Sequence, residues 1–196
     1  TAIPSATLVP SMTPIPSTPT PFPETPVATP LGPIPTLDTS VMGIQLYYNV
    51  DIDFWWQLLQ RTRPLGTEWI KVQADWSFLQ PSPTLPDQSD VAFSLFRSHI
   101  QRAHNEGFKV LVSVAKAPAW ARNSATEDGP PTNPQDLVTF VDFLLQNIGN
   151  EIDAIEIWNE PNLRREWNGG LDFSGAGYMQ LFDPVYQTVR ARYPEM

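Results

Sequence analysis

Cysteine is absent from this sequence of 196 residues. Its absence excludes a disulfide framework, a catalytic thiolate and zinc sites with cysteine ligands, but it does not settle the cellular compartment. The sequence also lacks a glycine-rich phosphate loop, a dinucleotide-binding fingerprint and the motif of a serine hydrolase. We therefore expect no cofactor and no metal.

Basic residues are scarce, with 12 Lys and Arg against 21 Asp and Glu and a formal net charge of −9. A nucleic-acid partner is excluded because binding phosphates requires a basic surface. No apolar run approaches the roughly 20 residues that cross a bilayer. Because the chain begins at Thr1 rather than Met, we expect any targeting segment or membrane anchor to lie upstream. The sequence does not indicate an oligomeric state.

Proline is abundant and unevenly distributed, since 11 of the 22 prolines lie in residues 1–37. This segment is otherwise rich in Thr and Ser, and Glu24 is its only charged residue. Such a composition favours extended polyproline II conformations and predicts a disordered tail or linker. We interpret it as a stalk, which implies an extracellular or cell-surface protein; the alternative is a disordered tail without a function of its own.

The remaining sequence, residues 38–196, alternates strand and helix patterns four times. The predicted strands cover 41–48, 69–75, 108–115 and the stretch that begins at 153, and the predicted helices cover 53–63, 89–106, 134–148 and 175–192. This alternation predicts an α/β fold with parallel strands joined by helical crossovers. Four βα units are half of a (β/α)8 barrel of the TIM-barrel type, which typically needs about 250 residues. We expect the N-terminal half of such a barrel, and the alternative is a complete small domain with exposed edge strands.

Residues 153–162 carry the strongest functional signal of the chain. Ile155 and Ile157 alternate as in a buried strand, and Pro161 ends the strand because it cannot donate to the ladder. Asn159 and Glu160 are therefore expected side by side at a strand's carboxyl end, where parallel α/β proteins form active sites. A simple turn is the alternative interpretation of this Asn-Glu-Pro tripeptide.

The stretch that reads Trp158-Asn159-Glu160-Pro161-Asn162, followed by Leu163 and Trp167, resembles the fourth-strand signature of clan A glycoside hydrolases. Within that clan it is most similar to family thirty-nine, although the cellulase-like family five shares the Asn-Glu-Pro core. The resemblance implies hydrolysis of O-glycosidic bonds with retention by two glutamates. It assigns Glu160 as the general acid/base and implies a nucleophilic glutamate on the seventh strand, beyond Met196.

Substrate contacts are predicted around this motif. The Asn159 amide can bind the sugar's 2-hydroxyl, and Asn162 flanks the same strand end. Trp76, Trp120 and Trp167 follow strand ends, where aromatic rings can stack on the apolar faces of sugars; ordinary loop packing is the alternative. Gln73 and Asp75, at the end of the second strand, could also bind hydroxyls.

Three further expectations concern residues outside the motif. Lys71 and Glu156 are predicted to form a buried structural ion pair, and a catalytic role for Glu156 is the alternative. His99 and His104 are five residues apart on one helix, which does not align them for a metal, and we expect both to be solvated. Trp55, Trp56 and Trp69 lie within predicted elements and are expected in the core, and the first predicted helix is expected to turn Phe54, Leu58 and Leu59 to the core.

The sequence thus predicts a retaining glycoside hydrolase that acts on a plant or microbial polysaccharide or oligosaccharide. A chain that ends before the seventh strand is expected to be inactive by itself. The alternatives are a non-catalytic carbohydrate-binding protein on a surface stalk and an unrelated adhesion module. The sugar and its linkage are not indicated, because specificity depends on loops.

Overall fold

The computed structural model describes residues 36–123 and 129–196. The predicted stalk, residues 1–37, lies outside the described residues except for its last two. Residues Leu37–Met196 form a compact unit, whose elements are given below.

Within the described residues, four parallel strands form a sheet in the order β1-β2-β3-β4. These strands are β1 (Gly43–Leu46), β2 (Trp69–Asp75), β3 (Lys109–Ala115) and β4 (Ala154–Ile157). Each strand pairs in parallel with the next one in sequence. Every connection must therefore run back along the sheet to the starting end before the next strand begins. The predicted alternation of strands and helices is confirmed.

Each helix of the described residues begins after a side chain that caps it. The helices are α1 (Ile52–Thr62), α2 (Trp76–Leu79), α3 (Val91–Asn105), α4 (Pro134–Ile148) and α5 (Gly175–Arg192). Their respective caps, Asp51, Asp75, Asp90, Asn133 and Ser174, each accept a hydrogen bond from a first-turn N–H group. Such caps satisfy donors that have no partner inside the helix. The short helix α2 was not predicted, because four residues carry no helical period.

The two faces of the sheet differ in chemistry. The helix-covered face consists of Ile70, Val72, Ala74, Val110, Val112, Val114 and Ile157, which pack in the core with residues of the helices. The open face carries Gln45, Lys71, Gln73, Ser113 and Glu156. Successive side chains of a strand point to opposite faces, so alternate residues of each strand belong to the same face. The helices therefore lie on one face, as they do in a barrel.

The predicted pair of Lys71 and Glu156 is present on the open face. Lys71 Nζ lies 2.6 Å from Glu156 Oε1, and Ser113 Oγ donates to the same oxygen at 2.8 Å. The pair is partly exposed rather than buried, since the Lys71 and Glu156 side chains are 25% and 38% exposed. Its partners satisfy the carboxylate, which supports the structural role over the catalytic one.

Two predictions about α1 are wrong. The helix buries Trp55 and Leu59, which are four residues apart and therefore share one face. This orientation leaves Phe54 40% exposed and Trp56 43% exposed, although both were expected in the core. Trp69 is half-buried beside the open face, where its Nε1 donates to the Ser40 carbonyl at 3.1 Å.

The two histidines have different environments. His104 is exposed, as expected, but His99 is fully buried, which contradicts the prediction that it is solvated. The His99 ring packs against Trp55 with centroids 5.0 Å apart, and Trp55 Nε1 donates to the His99 carbonyl at 2.9 Å. Burial lowers the pKa of His99, although hydrogen bonds to backbone groups partly oppose this effect.

Candidate active site

The chain leaves β4 through an unusual backbone conformation. Trp158 and Glu160 have φ angles of 69° and 44°, which lie in the left-handed region that non-glycine residues rarely adopt. The Trp158 N–H donates to the Val114 carbonyl of β3 at 2.8 Å, and the Tyr178 hydroxyl donates to the Ile157 carbonyl at 3.0 Å. These bonds anchor the strand end, and the turn then places Glu160 outside the core. Backbone strain of this kind is concentrated at functional sites.

Glu160 lies at the carboxyl end of the sheet but not in the surroundings expected of it. Its side chain is 50% exposed and its Oε2 pairs with Arg165 Nη2 at 2.9 Å. The resemblance to clan A implies a second carboxylate, the nucleophilic glutamate, as its partner. Among the residues that the structure describes, the charged partner found for Glu160 is a cation.

The other polar residues of the motif lie on the same turn. Asn159 is half-buried directly before Glu160, and Asn162 is exposed two residues after it. The Leu163 N–H donates to the Glu160 carbonyl at 2.9 Å, which closes the turn. The turn therefore brings Asn159, Glu160 and Asn162 together at one strand end.

Trp76 and Trp120 form a pair near the ends of β2 and β3. Their rings meet edge to face with centroids 5.8 Å apart, and Trp76 also stacks on Phe140 at 5.4 Å. Gln80 fixes both indoles, because its Oε1 accepts from Trp76 Nε1 at 2.8 Å and its carbonyl accepts from Trp120 Nε1 at 3.1 Å. Trp76 is fully buried and Trp120 half-buried, so in this structure only Trp120 has ring surface available for a sugar.

Trp167 is also buried, and it stabilises the loop that follows the motif. Its ring meets Trp158 edge to face with centroids 6.0 Å apart, and its Nε1 donates to the Asp172 carbonyl at 3.0 Å. Gly177 lets this loop approach α5, since a Cβ there would lie 1.9 Å from the Asp172 carbonyl oxygen. The contacts of Trp167 are those of loop packing rather than of a sugar platform.

A cleft of about 440 Å³ opens at the carboxyl ends of β1, β2 and β3. Polar groups that line it come from Gln45, Asn49, Gln73, Asp75 and Lys116, and aromatic rings come from Tyr47, Tyr48 and Phe78. Tyr47 and Phe78 are largely exposed and can offer the ring surface that Trp76 lacks. Gln73 and Asp75, both suggested by the sequence, are among these residues. Glu160 follows β4, the strand next to β3.

Asp75 and Lys116 place opposite charges in this cleft. Lys116 Nζ lies 3.6 Å from Asp75 Oδ2, and both side chains are a little under one-third exposed. Lys116 is the third non-glycine residue with a positive φ, 64°, and its carbonyl accepts from the Ser77 N–H at 2.9 Å. Burial, and then the negative charge of Asp75, raises the pKa of Tyr48.

Several of these residues were missed by sequence reasoning. Lys116 directly follows a strand, at the position on β3 that matches Asn159 on β4, and this spacing was a usable signal. Tyr47 and Asn49 follow β1 in the same way. Arg165 carried no signal, because its contact with Glu160 depends on how the loop folds.

Neither a metal centre nor a membrane span is found in the part of the chain that the structure describes. No three His, Asp or Glu side chains there are grouped so that they could hold a metal ion. None of the helices described is long and apolar enough to cross a bilayer.

This architecture, a parallel sheet in sequential order with helices on one face and polar strand ends, is that of part of a TIM barrel. No family model matches the sequence, and no curated protein does. Solved structures do match the chain, among them the following three.

The chain is similar to a family thirty-nine glycoside hydrolase from Bacteroides cellulosilyticus, with a TM-score of 0.58 and 20% identity over 78% of this chain and 30% of that one. It is similar to the GH1 β-glucosidase from Exiguobacterium antarcticum, with a TM-score of 0.59 and 11% identity over 82% of this chain and 47% of that one. It is also similar to GH5_18 from Streptomyces cattleya, solved in complex with GlcNAc, with a TM-score of 0.56 and 16% identity over 76% of this chain and 42% of that one.

At these identities the similarities establish the fold. The chain spans between 30% and 47% of the length of these proteins. The comparable TM-scores do not separate family thirty-nine from family five.

Proposed function

We propose that this chain is part of a retaining glycoside hydrolase in which Glu160 is the general acid/base. The observation that carries the proposal is the position of Glu160. It follows β4 on a left-handed backbone, directly after Asn159. The cleft is formed by the carboxyl ends of the other three strands of the same sheet. Its carboxyl group is half exposed and can be reached by a substrate.

The proposed reaction has two steps. In the first, the protonated Glu160 gives its proton to the glycosidic oxygen while a second carboxylate attacks the anomeric carbon, so that the leaving group departs as an alcohol. In the second, the ionised Glu160 takes a proton from water, whose oxygen displaces the enzyme carboxylate. Retaining enzymes hold the two carboxyl groups about 5 to 5.5 Å apart. We propose that the nucleophile comes from a later strand of the barrel.

The cleft at the ends of β1 to β3 is the proposed binding site for the sugar. Asp75 can accept hydrogen bonds from hydroxyl groups and Lys116 can donate to them, and their charges balance. Tyr47 and Phe78 can contact the apolar face of the ring. This chemistry suits a neutral sugar of a plant or microbial polysaccharide or oligosaccharide. Trp120 and the amides of Asn159 and Asn162 remain proposed contacts.

A non-catalytic carbohydrate-binding protein is the second candidate. The ion pair at Glu160 is compatible with it, because Arg165 Nη2 lies 2.9 Å from Glu160 Oε2 and this contact can order the turn whether or not Glu160 takes part in a reaction. In this alternative the cleft binds sugar and Glu160 only orders the turn.

The substitution E160Q in the protein expressed from its complete gene tests the enzyme proposal. The probes are dinitrophenyl and phenyl β-glucosides and β-xylosides, together with xylan and β-glucan. We expect hydrolysis of the phenyl glycosides, which are poor leaving groups, to fall by about 10² to 10⁴. Dinitrophenyl glycosides need little acid assistance, so their first step should be nearly unchanged, and azide should accelerate the second.

An E160Q variant with wild-type rates on phenyl glycosides would refute the acid/base assignment. A wild-type protein that binds xylan or β-glucan without cleaving any probe would favour the carbohydrate-binding candidate.

We further propose an extracellular or cell-surface location, which rests on the composition of residues 1–37. Detection of the protein in the culture medium or envelope fraction would support it. Recovery in the cytoplasm alone would contradict it.

A further inference from the structure

Arg165 contacts two carboxylates of the motif region. Its Nη2 lies 2.9 Å from Glu160 Oε2, and its Nε lies 3.2 Å from Glu166 Oε1. The guanidinium group thus uses two of its nitrogens on two different acids. Because the group is planar and its donors are fixed in direction, this arrangement restricts both carboxylates.

The backbone on both sides of this contact is held in place. The Glu166 carbonyl accepts from the buried indole of Trp158 at 2.7 Å. Trp167, the next residue, is anchored in the core. On the other side, the Leu163 N–H donates to the Glu160 carbonyl at 2.9 Å. The neighbouring Arg164 is directed at the Phe173 ring instead, with its guanidinium 4.6 Å from the ring centre. The side chain of Arg165 is 67% exposed, and it extends from a backbone that lies between these anchored residues.

The contact uses one carboxyl oxygen of Glu160 and leaves the other available. Arg165 holds Oε2, so Oε1 is the atom that can carry the proton toward a leaving group. A general acid works only when the donating oxygen is held within hydrogen-bond reach of its target. Two exposed, freely moving side chains would gain little from such a pair, but here both backbones are fixed.

We propose that Arg165 is a positioning residue for Glu160, which orients the carboxyl group so that Oε1 faces the glycosidic oxygen. This inference rests on the proposed acid/base role of Glu160. Lys116 and Asp75, the charged groups of the cleft, pair with each other, and Glu166 shares Arg165. In the proposed role Arg165 acts through Glu160.

The test compares R165Q, R165K and the neighbouring control R164Q in the protein expressed from its complete gene. The probes are phenyl and dinitrophenyl glycosides of whichever sugar, glucose or xylose, the wild type cleaves. For R165Q we expect kcat on the phenyl glycoside to fall on the order of tenfold, with KM nearly unchanged, because a misdirected acid slows proton transfer. For the dinitrophenyl glycoside, kcat/KM, which reports the first step, should stay within about twofold, since that leaving group needs no acid.

The conservative and control variants separate positioning from loop structure. R165K keeps a cation near Oε2 but lacks the planar group that contacts two acids, so it should recover only part of the lost rate. R164Q removes the contact with Phe173 but leaves the Glu160 pair, so its rates should match the wild type. Equal losses on both glycosides, an R165K variant with the full wild-type rate, or an equal loss in R164Q would each overturn the inference.

Failure of this inference is distinguishable from failure of the proposed function. If E160Q loses activity on the phenyl glycoside while R165Q does not, only the positioning role is wrong. If E160Q retains activity, the acid/base assignment fails and the role of Arg165 fails with it. The melting temperature of each variant is measured in parallel, and an exposed residue such as Arg165 should leave it unchanged.

Discussion

The helix-covered face of the sheet and the carboxyl ends of its strands follow opposite rules. On the helix-covered face, residues such as Ile70 and Val112 are fully buried among apolar side chains. At the strand ends, Lys116, Trp158 and Glu160 adopt left-handed backbone angles. Two ion pairs, Asp75 with Lys116 and Glu160 with Arg165, lie in the same region.

The difference separates stability from chemistry. Burial of apolar side chains on the covered face contributes favourable free energy to folding. This contribution offsets the cost of the strained backbone conformations at the strand ends. The backbone at the strand ends needs no regular pairing beyond the last ladder bond, so these positions can carry polar residues that a ligand can contact. Substitutions on the covered face should therefore change stability, and substitutions at the strand ends should change activity.

Two phenylalanines provide the strongest test of this separation. Phe140 is fully buried against Trp76, whereas Phe78 is 46% exposed at the cleft. We expect F140A to lower the free energy of unfolding by about 3 to 5 kcal/mol, because it removes buried contacts and leaves a cavity. F78A should lower it by less than about 1 kcal/mol while weakening sugar binding.

Urea unfolding followed by tryptophan fluorescence measures the first effect, and titration with xylan or β-glucan oligosaccharides measures the second. Similar losses of stability in the two variants would break the comparison between the covered face and the strand ends.

Asp75 serves both structure and site, and its two roles can be separated. Its Oδ1 accepts from the Phe78 N–H at 3.2 Å and from Ser77 Oγ at 2.7 Å, while Oδ2 faces Lys116. D75N keeps a capping acceptor and loses the charge, whereas D75A loses both. We expect D75A to be less stable than D75N by about 1 kcal/mol, measured by urea unfolding. Both should bind sugar more weakly, and equal stabilities would show that the cap contributes nothing.

Substitutions of Lys116 should give the smallest change in stability. The sign of the difference between K116G and K116A shows whether the backbone at Lys116 is strained. A left-handed conformation costs a non-glycine residue about 1 to 2 kcal/mol, and glycine avoids this cost but loses more chain entropy on folding. We expect K116G to be more stable than K116A by up to about 1 kcal/mol in thermal unfolding. Both variants lack the ammonium group and should bind sugar equally weakly, so K116A serves as the control for the lost charge. A less stable K116G would mean that the backbone at this strand end is not strained.

Much of the fold could be predicted because it depends on local patterns. The alternating residues from Trp69 to Asp75 predicted β2 with its observed bounds, and Asn133 with Pro134 predicted the start of α4. The pairing of Lys71 with Glu156 was also predicted, because a carboxylate among strand residues needs a partner. By contrast, the orientation of α1 was predicted wrongly, because Phe54, Trp55 and Trp56 are all suited to a core and only packing selects one of them.

The sequence by itself determined the strand–helix alternation, the start of α4 at Asn133 and Pro134, and the position of Glu160 at the end of the fourth strand, since each depends on residues close together in the chain. Only the tertiary structure decided which tryptophans have exposed rings, that Lys116 and Asp75 share a cleft, and that Arg165 reaches Glu160. These contacts join residues from different strands, or depend on the path of a loop that Trp158 and Trp167 anchor. Local patterns do not encode such distances, and so the chemistry of the site had to be read from the folded chain.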